Sequence, residues 1–222
     1  MTTNEVLDTR LKDLADDLAN QGWDLPSKMY ALKGDPNDPL VELIGQLPGD
    51  PAESMLAGFD SGFRYPEDSF GMVMAVEGWR PLSVDELLEA RPTLVEGVKK
   101  QYEQQKGEPI EESRVREAVE SFHERFIAAF PPAALPPFLR WDVRNLYAVL
   151  RDGTTVSLIH SKDKDDHDFE HKTVAEEARE GSQAPSYMYL LMHNLRPETV
   201  EDPMKSVREY QALSALDFTF DV

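Results

Sequence analysis

The chain contains no cysteine. Disulfides, thiolate nucleophiles and zinc sites built on thiolates are therefore excluded. The sequence also has no uninterrupted apolar run near the roughly 18 residues that a membrane-spanning helix needs. Its first residues, MTTNEVLDTRLKDL, lack both the basic start and the apolar core of a secretory signal. We therefore expect a cytoplasmic protein.

Basic residues are scarce. Lysine and arginine number 23 against 42 aspartates and glutamates, which gives a net charge of −19. Phosphate backbones and anionic lipid surfaces attract basic patches, so we expect neither direct nucleic-acid binding nor membrane binding. The acidity is compatible with a basic protein partner, with mimicry of nucleic acid, or with a role in solubility alone.

The first predicted helix is marked by four leucines at helical spacing, Leu7, Leu11, Leu14 and Leu18. Gly22 is a typical left-handed stop for this helix. Trp23 follows the stop, where an apolar residue commonly packs back against the last turn, so we expect it near Leu18.

Five strands are expected. Met29–Leu32 and the nearly continuous apolar run Phe70–Val76 are typical of short strands, the second covered on both faces. A hairpin over 143–161 has Asp152-Gly153 at its centre, which favours a type I′ turn with Tyr147 opposite Leu158 and Val149 opposite Val156. The alternation from Leu216 to Val222 predicts a final strand.

The remaining elements are predicted helices. Asp38-Pro39 and Asp50-Pro51 each combine a capping acid with proline at the first helical position. Ser83 with Glu86 forms a capping box, Pro92 opens a further helix, and an apolar stripe predicts a helix over about 111–130. These patterns predict one α+β domain over 1–222, with a mostly antiparallel sheet and a mainly helical insertion at 91–138.

Motifs of known chemistry are missing. The sequence has no GxGxxG, no phosphate-binding GxxxxGK and no GxSxG. His123-Glu124 starts like a zinc protease helix, but the fifth position is Ile127. We therefore assign no catalytic residue and no cofactor from the sequence.

The segment 163–171 holds the densest set of potential metal ligands, of which the candidates are Asp163, Asp165, His167 and His171. The two histidines are four residues apart, the spacing that converges on one face of a helix. The order of ligands is not that of an EF-hand, and charged loops after hairpins are commonly solvated. We expect a flexible, metal-free loop, with His160 facing Asn145 either in a pocket or at the wet end of the sheet.

Three groups of residues stand out in order along the chain: Gly22–Pro26 with Met29–Leu32, Tyr65-Pro66 with Gly71–Glu77, and Val143-Arg144 with Ala148–Gly153. In their order and spacing they resemble a family of actinobacterial proteins that has no assigned activity. The chain has Tyr65 where the family has tryptophan, and segment 91–138 is enlarged. The resemblance implies an actinobacterial cytosolic protein and supplies no catalytic residues.

Three hypotheses about function follow. The leading one is a non-catalytic adaptor, chaperone or inhibitor that binds another protein, since a strongly acidic surface steers a basic partner. The first alternative is an enzyme with an unmarked site near 160–171 that could depend on a metal. The second is an acidic mimic of nucleic acid, which requires an ordered stripe of carboxylates.

Overall fold

The computed structural model describes residues 3–47, 55, 57, 63–130, 135–162, 167–179, 184–195 and 203–217. Residue contacts divide the chain into two compact units. The first consists of Met1–Gly78 and Arg144–Val222, and the second of Trp79–Val143. The predicted insertion at 91–138 falls within the second unit.

The elements follow one another in this order: α1 Thr3–Gln21, β1 Ser27–Asp35, β2 Asp38–Leu47, β3 Ser69–Pro81, α2 Val84–Ala90, α3 Pro92–Lys106, α4 Glu112–Ala129, a 3-10 turn Pro137–Leu139, β4 Arg140–Leu150, β5 Thr154–Ser161, β6 His167–Thr173, α5 Val174–Arg179, α6 Ala184–Met192 and α7 Pro203–Asp217. No helix in the described part of the chain is long and apolar enough to cross a membrane.

The strands form one antiparallel sheet of six strands in the order β2-β1-β3-β4-β5-β6. The predicted α+β class with a mostly antiparallel sheet is therefore confirmed, with one strand more than expected. The central strand β3 is buried from Gly71 to Ala75, as its continuous apolar sequence predicts for a strand covered on both faces.

Helix α1 covers one face of the sheet in the first unit. Its residues Leu7, Leu11, Ala15 and Leu18 are buried in one apolar cluster with side chains from β1, β3, β4 and β5. The opposite face carries a second cluster, in which β-strand residues such as Met29 and Met72 pack with α5, α6 and α7. Because strand side chains alternate between faces, Met29 and Tyr30 belong to different clusters.

The prediction of a helix at Asp38-Pro39 is wrong, because these residues begin β2. Asp35 pairs with Asp38 across a turn at Pro36 and Asn37, and the Asp35 carboxylate accepts the Asn37 N–H at 2.8 Å. Pro39 is tolerated because β2 is an edge strand, where a missing N–H need not interrupt the ladder. The helix expected from Asp50 lies largely outside the described residues, of which Met55 and Ala57 are helical.

The predicted loop after the hairpin contains a strand. His167–Thr173 forms β6, which pairs with β5 from Thr154↔Thr173 to His160↔His167. Phe169 packs against the cluster under α1, and this apolar anchor fixes the register of an otherwise polar strand. Asp163 and Asp165 lie outside the described residues.

The predicted C-terminal strand is wrong where the structure can test it. Leu216 and Asp217 end helix α7. Residues 218–222 lie outside the described part of the chain.

The hairpin between β4 and β5 is confirmed, but its predicted turn and register are wrong. Gly153 has a φ of 89°, whereas Asp152 does not have a positive φ, so a type I′ turn is excluded. Gly153 N–H donates to the Leu150 carbonyl at 3.0 Å, which closes a longer, three-residue loop. Val149 and Val156 consequently lie in different clusters, on opposite faces of the sheet.

The second unit is mainly helical and agrees with its sequence signals. Ser83 and Glu86 form the predicted capping box of α2, and Gly107 ends α3 with a φ of 76°. Helix α4 spans Glu112–Ala129 and buries Val115, Ala118, Val119 and Phe122. His123 is half-buried next to Phe122, and its Nε2 lies 2.8 Å from the Leu82 carbonyl oxygen.

Gly71 provides a test of the packing between β1, β3 and β4. A Cβ at this position would lie 2.7 Å from Leu150 Cδ2, 3.0 Å from the Val149 carbonyl oxygen and 3.1 Å from Leu32 Cδ1. We predict that Gly71→Ala lowers the free energy of unfolding by roughly 1–3 kcal/mol, since overpacked cores must shift to accept a methyl group. Gly78→Ala in the same strand meets no atom within 4 Å and is the control. Equal effects of the two substitutions in urea denaturation would contradict this packing.

Candidate functional site

Helix α1 contacts β2 on one side and β5 on the other. Charged and aromatic residues of the first unit gather in three places around this helix. They are the connection from α1 to β1, the flank facing β5 and β6, and the flank facing β2.

At the connection from α1 to β1, a guanidinium is buried. Arg144 on β4 is 1% exposed. Its Nη2 donates to the Gly22 carbonyl at 2.7 Å and to the Glu77 carboxylate on β3. The other Glu77 oxygen accepts the backbone N–H of Asp24 at 2.6 Å. Since a buried charge is stable only when it is paired and hydrogen-bonded, these contacts fix the connection to the two central strands.

Trp23 covers this ion pair instead of packing where its sequence position suggests. Leu25, not Trp23, packs against the cluster that contains Leu18. The Trp23 ring is half-buried, with the Arg144 guanidinium 4.7 Å and Lys162 Nζ 5.5 Å from its centroid. Such distances are typical of cation–π contacts.

The three groups Gly22–Pro26, Gly71–Glu77 and Val143-Arg144 each supply residues to this connection. Gly22, Trp23 and Asp24 come from the first group, Glu77 from the second and Arg144 from the third. The cavity beside Arg144 has a volume of about 10 Å3. This space holds about one water molecule.

On the flank facing β5 and β6, two histidines and an aspartate form what we call the histidine cluster: Asp16, His160 and His167. His160 Nδ1 lies 3.0 Å from His167 Nε2, and the two residues are register partners on β5 and β6. His167 Nε2 also lies 3.2 Å from Asp16 Oδ1 on α1. All three donor atoms are within 4.8 Å of one another.

Neighbouring residues orient the side chains of the histidine cluster. Lys12 Nζ donates to the second oxygen of Asp16 at 2.6 Å, so Oδ1 is left for the histidines. This hydrogen bond is the main cause that lowers the pKa of the Asp16 carboxyl below its usual value, against the effect of desolvation. The Trp23 ring centroid lies 6.2 Å from that of the His160 ring. The side chain of His167 is 9% exposed.

Of the two histidines predicted as metal ligands, only one belongs to the histidine cluster. His167 belongs to the cluster, whereas His171 Nε2 lies 3.2 Å from Asp8 Oδ2, further along the same strand and helix. On a strand, residues four apart share a face but are separated by about 13 Å, so His167 and His171 do not converge. His160, which was expected to face Asn145, points to His167 because of the three-residue turn and the presence of β6.

The flank of α1 facing β2 forms an open groove of about 610 Å3, which we call the edge groove. It is lined by Arg10, Asp13, Leu14, Asp17, Gln21, Lys28, Tyr30, Asp38, Pro39, Leu40, Val41 and Leu43. Leu40 is 62% exposed and Leu43 is 51% exposed. Both leucines are among the lining residues and lie on β2, the outer strand of the sheet.

The basic side chains that line the edge groove contact polar residues of the same groove. Arg10 Nη2 lies 2.7 Å from Asp38 Oδ1, and its Nη1 lies 3.9 Å from Asp13 Oδ2. Lys28 is buried and donates to the Gln21 side chain at 2.7 Å. Asp17 is exposed on the α1 wall. The groove thus exposes the side chains of Leu40 and Leu43 and the carboxylate of Asp17.

Sequence reasoning missed Asp16 and the edge groove for one reason. Both depend on which flank of α1 faces which strand, and the leucine spacing gives only the buried stripe of the helix. Aspartates at positions 8 and 16 beside that stripe are the one local signal of the flank that faces the histidines.

Comparisons of the chain with protein-family models, with curated proteins and with solved structures found no match. The arrangement of side chains is therefore the basis for proposing a function.

The ion pair at the α1–β1 connection gives a testable stability prediction. Arg144→Met should lower the free energy of unfolding by about 3–5 kcal/mol, because it leaves the Glu77 carboxylate without its buried partner. Adding Glu77→Gln should recover part of this loss, as expected for coupled residues in a double-mutant cycle. The measurement is urea denaturation followed by circular dichroism. Strictly additive losses would show that the two side chains are not coupled.

Proposed function

We propose that this protein is a non-catalytic binding protein whose partner is another protein, and that it captures an extended, basic segment of that partner along β2. The observation that carries this proposal is the exposure of Leu40 and Leu43 on the outer strand of the sheet, beside the acidic edge groove. We therefore expect the contact to be a strand added to the β2 edge.

The backbone of β2 favours this mode of binding. Within the described sheet, β2 pairs with β1 on one side and has no strand on the other. An exposed edge offers unpaired N–H and C=O groups, and natural edges are usually protected by charge or by coverage. An extended peptide satisfies these groups by adding one strand, while alternate side chains supply specificity.

Side chains around the edge favour a peptide that alternates basic and apolar residues. Leu40 and Leu43 offer apolar contact area, since burying one leucine contributes about 1.5–3 kcal/mol. Asp17, which is exposed on α1, offers a carboxylate to cations, and the net charge of −19 attracts basic partners at long range. Of the four large apolar side chains exposed in the described residues, the other two, Phe130 and Phe138, belong to the second unit.

The alternatives have less support. The cavity beside the buried charge at Arg144 is about 10 Å3, which is too small for a substrate. An enzyme would therefore have to use the region near 160–171, where Asp16, His160 and His167 form a candidate metal cluster but no motif of known chemistry marks a catalytic group. A nucleic-acid mimic needs an ordered stripe of unpaired carboxylates. On α1, Asp16 is paired with Lys12 and Asp13 with Arg10, so this helix supplies no such stripe.

A designed peptide tests the proposal directly. We predict that a peptide of about eight residues, with lysine alternating with leucine or valine, binds the purified chain, because this length matches an added strand. Its affinity should fall by about tenfold or more between roughly 50 and 500 mM NaCl, since salt screens exposed charges. Fluorescence anisotropy of the labelled peptide gives both values. A peptide with glutamate in place of lysine is the ligand control.

Matched variants locate the contact. Leu40→Ser with Leu43→Ser should weaken binding by about tenfold or more, as expected when buried apolar area is lost. Phe138→Ser removes an apolar side chain of the second unit that is 40% exposed and should leave the affinity unchanged. No binding by the native chain, or equal weakening by both sets of substitutions, would contradict the proposal.

A further inference from the structure

We propose that the histidine cluster is a binding site for a divalent transition metal, with Zn²⁺ as the ion of best fit, held by Asp16, His160 and His167. This site is independent of the peptide contact proposed for the edge groove. It shares His167 with the metal site considered in segment 163–171, but its other two ligands, Asp16 and His160, come from α1 and β5.

The spacing of the donor atoms is close to that of a zinc site. Bonds of about 2.0–2.2 Å in a tetrahedron put neighbouring donor atoms roughly 3.3–3.6 Å apart. The two observed separations at His167 Nε2 are 3.0 Å to His160 Nδ1 and 3.2 Å to Asp16 Oδ1. The third donor pair lies within 4.8 Å, so a small change of side-chain torsion closes the set.

Hydrogen bonds alone satisfy His167 Nε2 poorly. His167 Nε2 can carry one proton, yet it faces the Asp16 oxygen and the His160 nitrogen at similar distances. If Nε2 is protonated, one hydrogen is shared between two acceptors. If it is not, its lone pair faces the Asp16 carboxylate. A metal ion between the three atoms satisfies all three lone pairs at once.

The supporting residues resemble the second layer of a metal site. Lys12 holds the outer oxygen of Asp16 and so orients Oδ1 toward the histidines. The pairing of β5 with β6 fixes the two histidine backbones opposite each other. Imidazole with carboxylate is a donor set that suits Zn²⁺ and its neighbours rather than Ca²⁺ or Mg²⁺. Three protein ligands leave the fourth position of the tetrahedron to water, as in zinc sites that keep one position open for an external ligand.

The test is isothermal titration of the untagged full chain with Zn²⁺, with Mg²⁺ as the comparison. We expect one Zn²⁺ per chain and no saturable Mg²⁺ binding. Asp16→Asn, His160→Gln and His167→Gln should each weaken Zn²⁺ binding by about tenfold or more, since even residues that only support metal ligands contribute that much. Asp16 is 42% exposed on a helix, so Asp16→Asn should fold normally, which circular dichroism checks.

The matched control is His171→Gln. His171 belongs to the same strand and contacts Asp8 on the same helix, but it has no second histidine beside it in the described structure. This substitution should leave the affinity for Zn²⁺ unchanged. Absence of stoichiometric Zn²⁺ binding by the native chain, or equal weakening by His171→Gln and Asp16→Asn, would overturn the proposal.

Discussion

The buried ion pair between Arg144 and Glu77 is the constraint on which the rest of the first unit depends. The guanidinium is held by a carboxylate on β3, by the carbonyl of Gly22 and by the face of Trp23. Because an uncompensated charge is costly in the interior, the chain between α1 and β1 has little freedom to move away from the two central strands. The direction in which α1 crosses the sheet follows from this connection and from the leucine stripe beneath the helix.

With α1 in this position, its two flanks carry different sets of side chains. The flank beside β2 forms an open groove that ends on the exposed leucines of an edge strand. The other flank brings Asp16 to a pair of histidines at the opposite edge of the sheet. Both proposed sites include an edge strand of the sheet. The net charge of −19 favours both proposals, since negative charge attracts basic segments and cations alike.

The sequence predicted elements whose signals are local and failed where distant segments meet. The leucine spacing of α1, the apolar run of β3 and the stripe of α4 were sufficient because each pattern reports burial directly. Asp38-Pro39 was misleading because its capping chemistry favours a helix, while pairing with β1 outweighs local preference. The predicted hairpin register is wrong because, of the two central turn residues, Gly153 alone takes the left-handed conformation. The ion pair joins residues 67 apart in sequence, and no periodicity reports such a contact.

The central claim is that the outer edge of β2 receives a strand from a basic partner, and hydrogen–deuterium exchange tests it most directly. With the lysine-alternating peptide at saturation, the amides of Asp38–Leu47 should exchange more slowly, since an added strand gives exposed N–H groups hydrogen-bond partners. Exchange in helices α3 and α4 of the second unit should not change. Protection confined to those helices, or no protection of β2 by a bound peptide, would contradict the account.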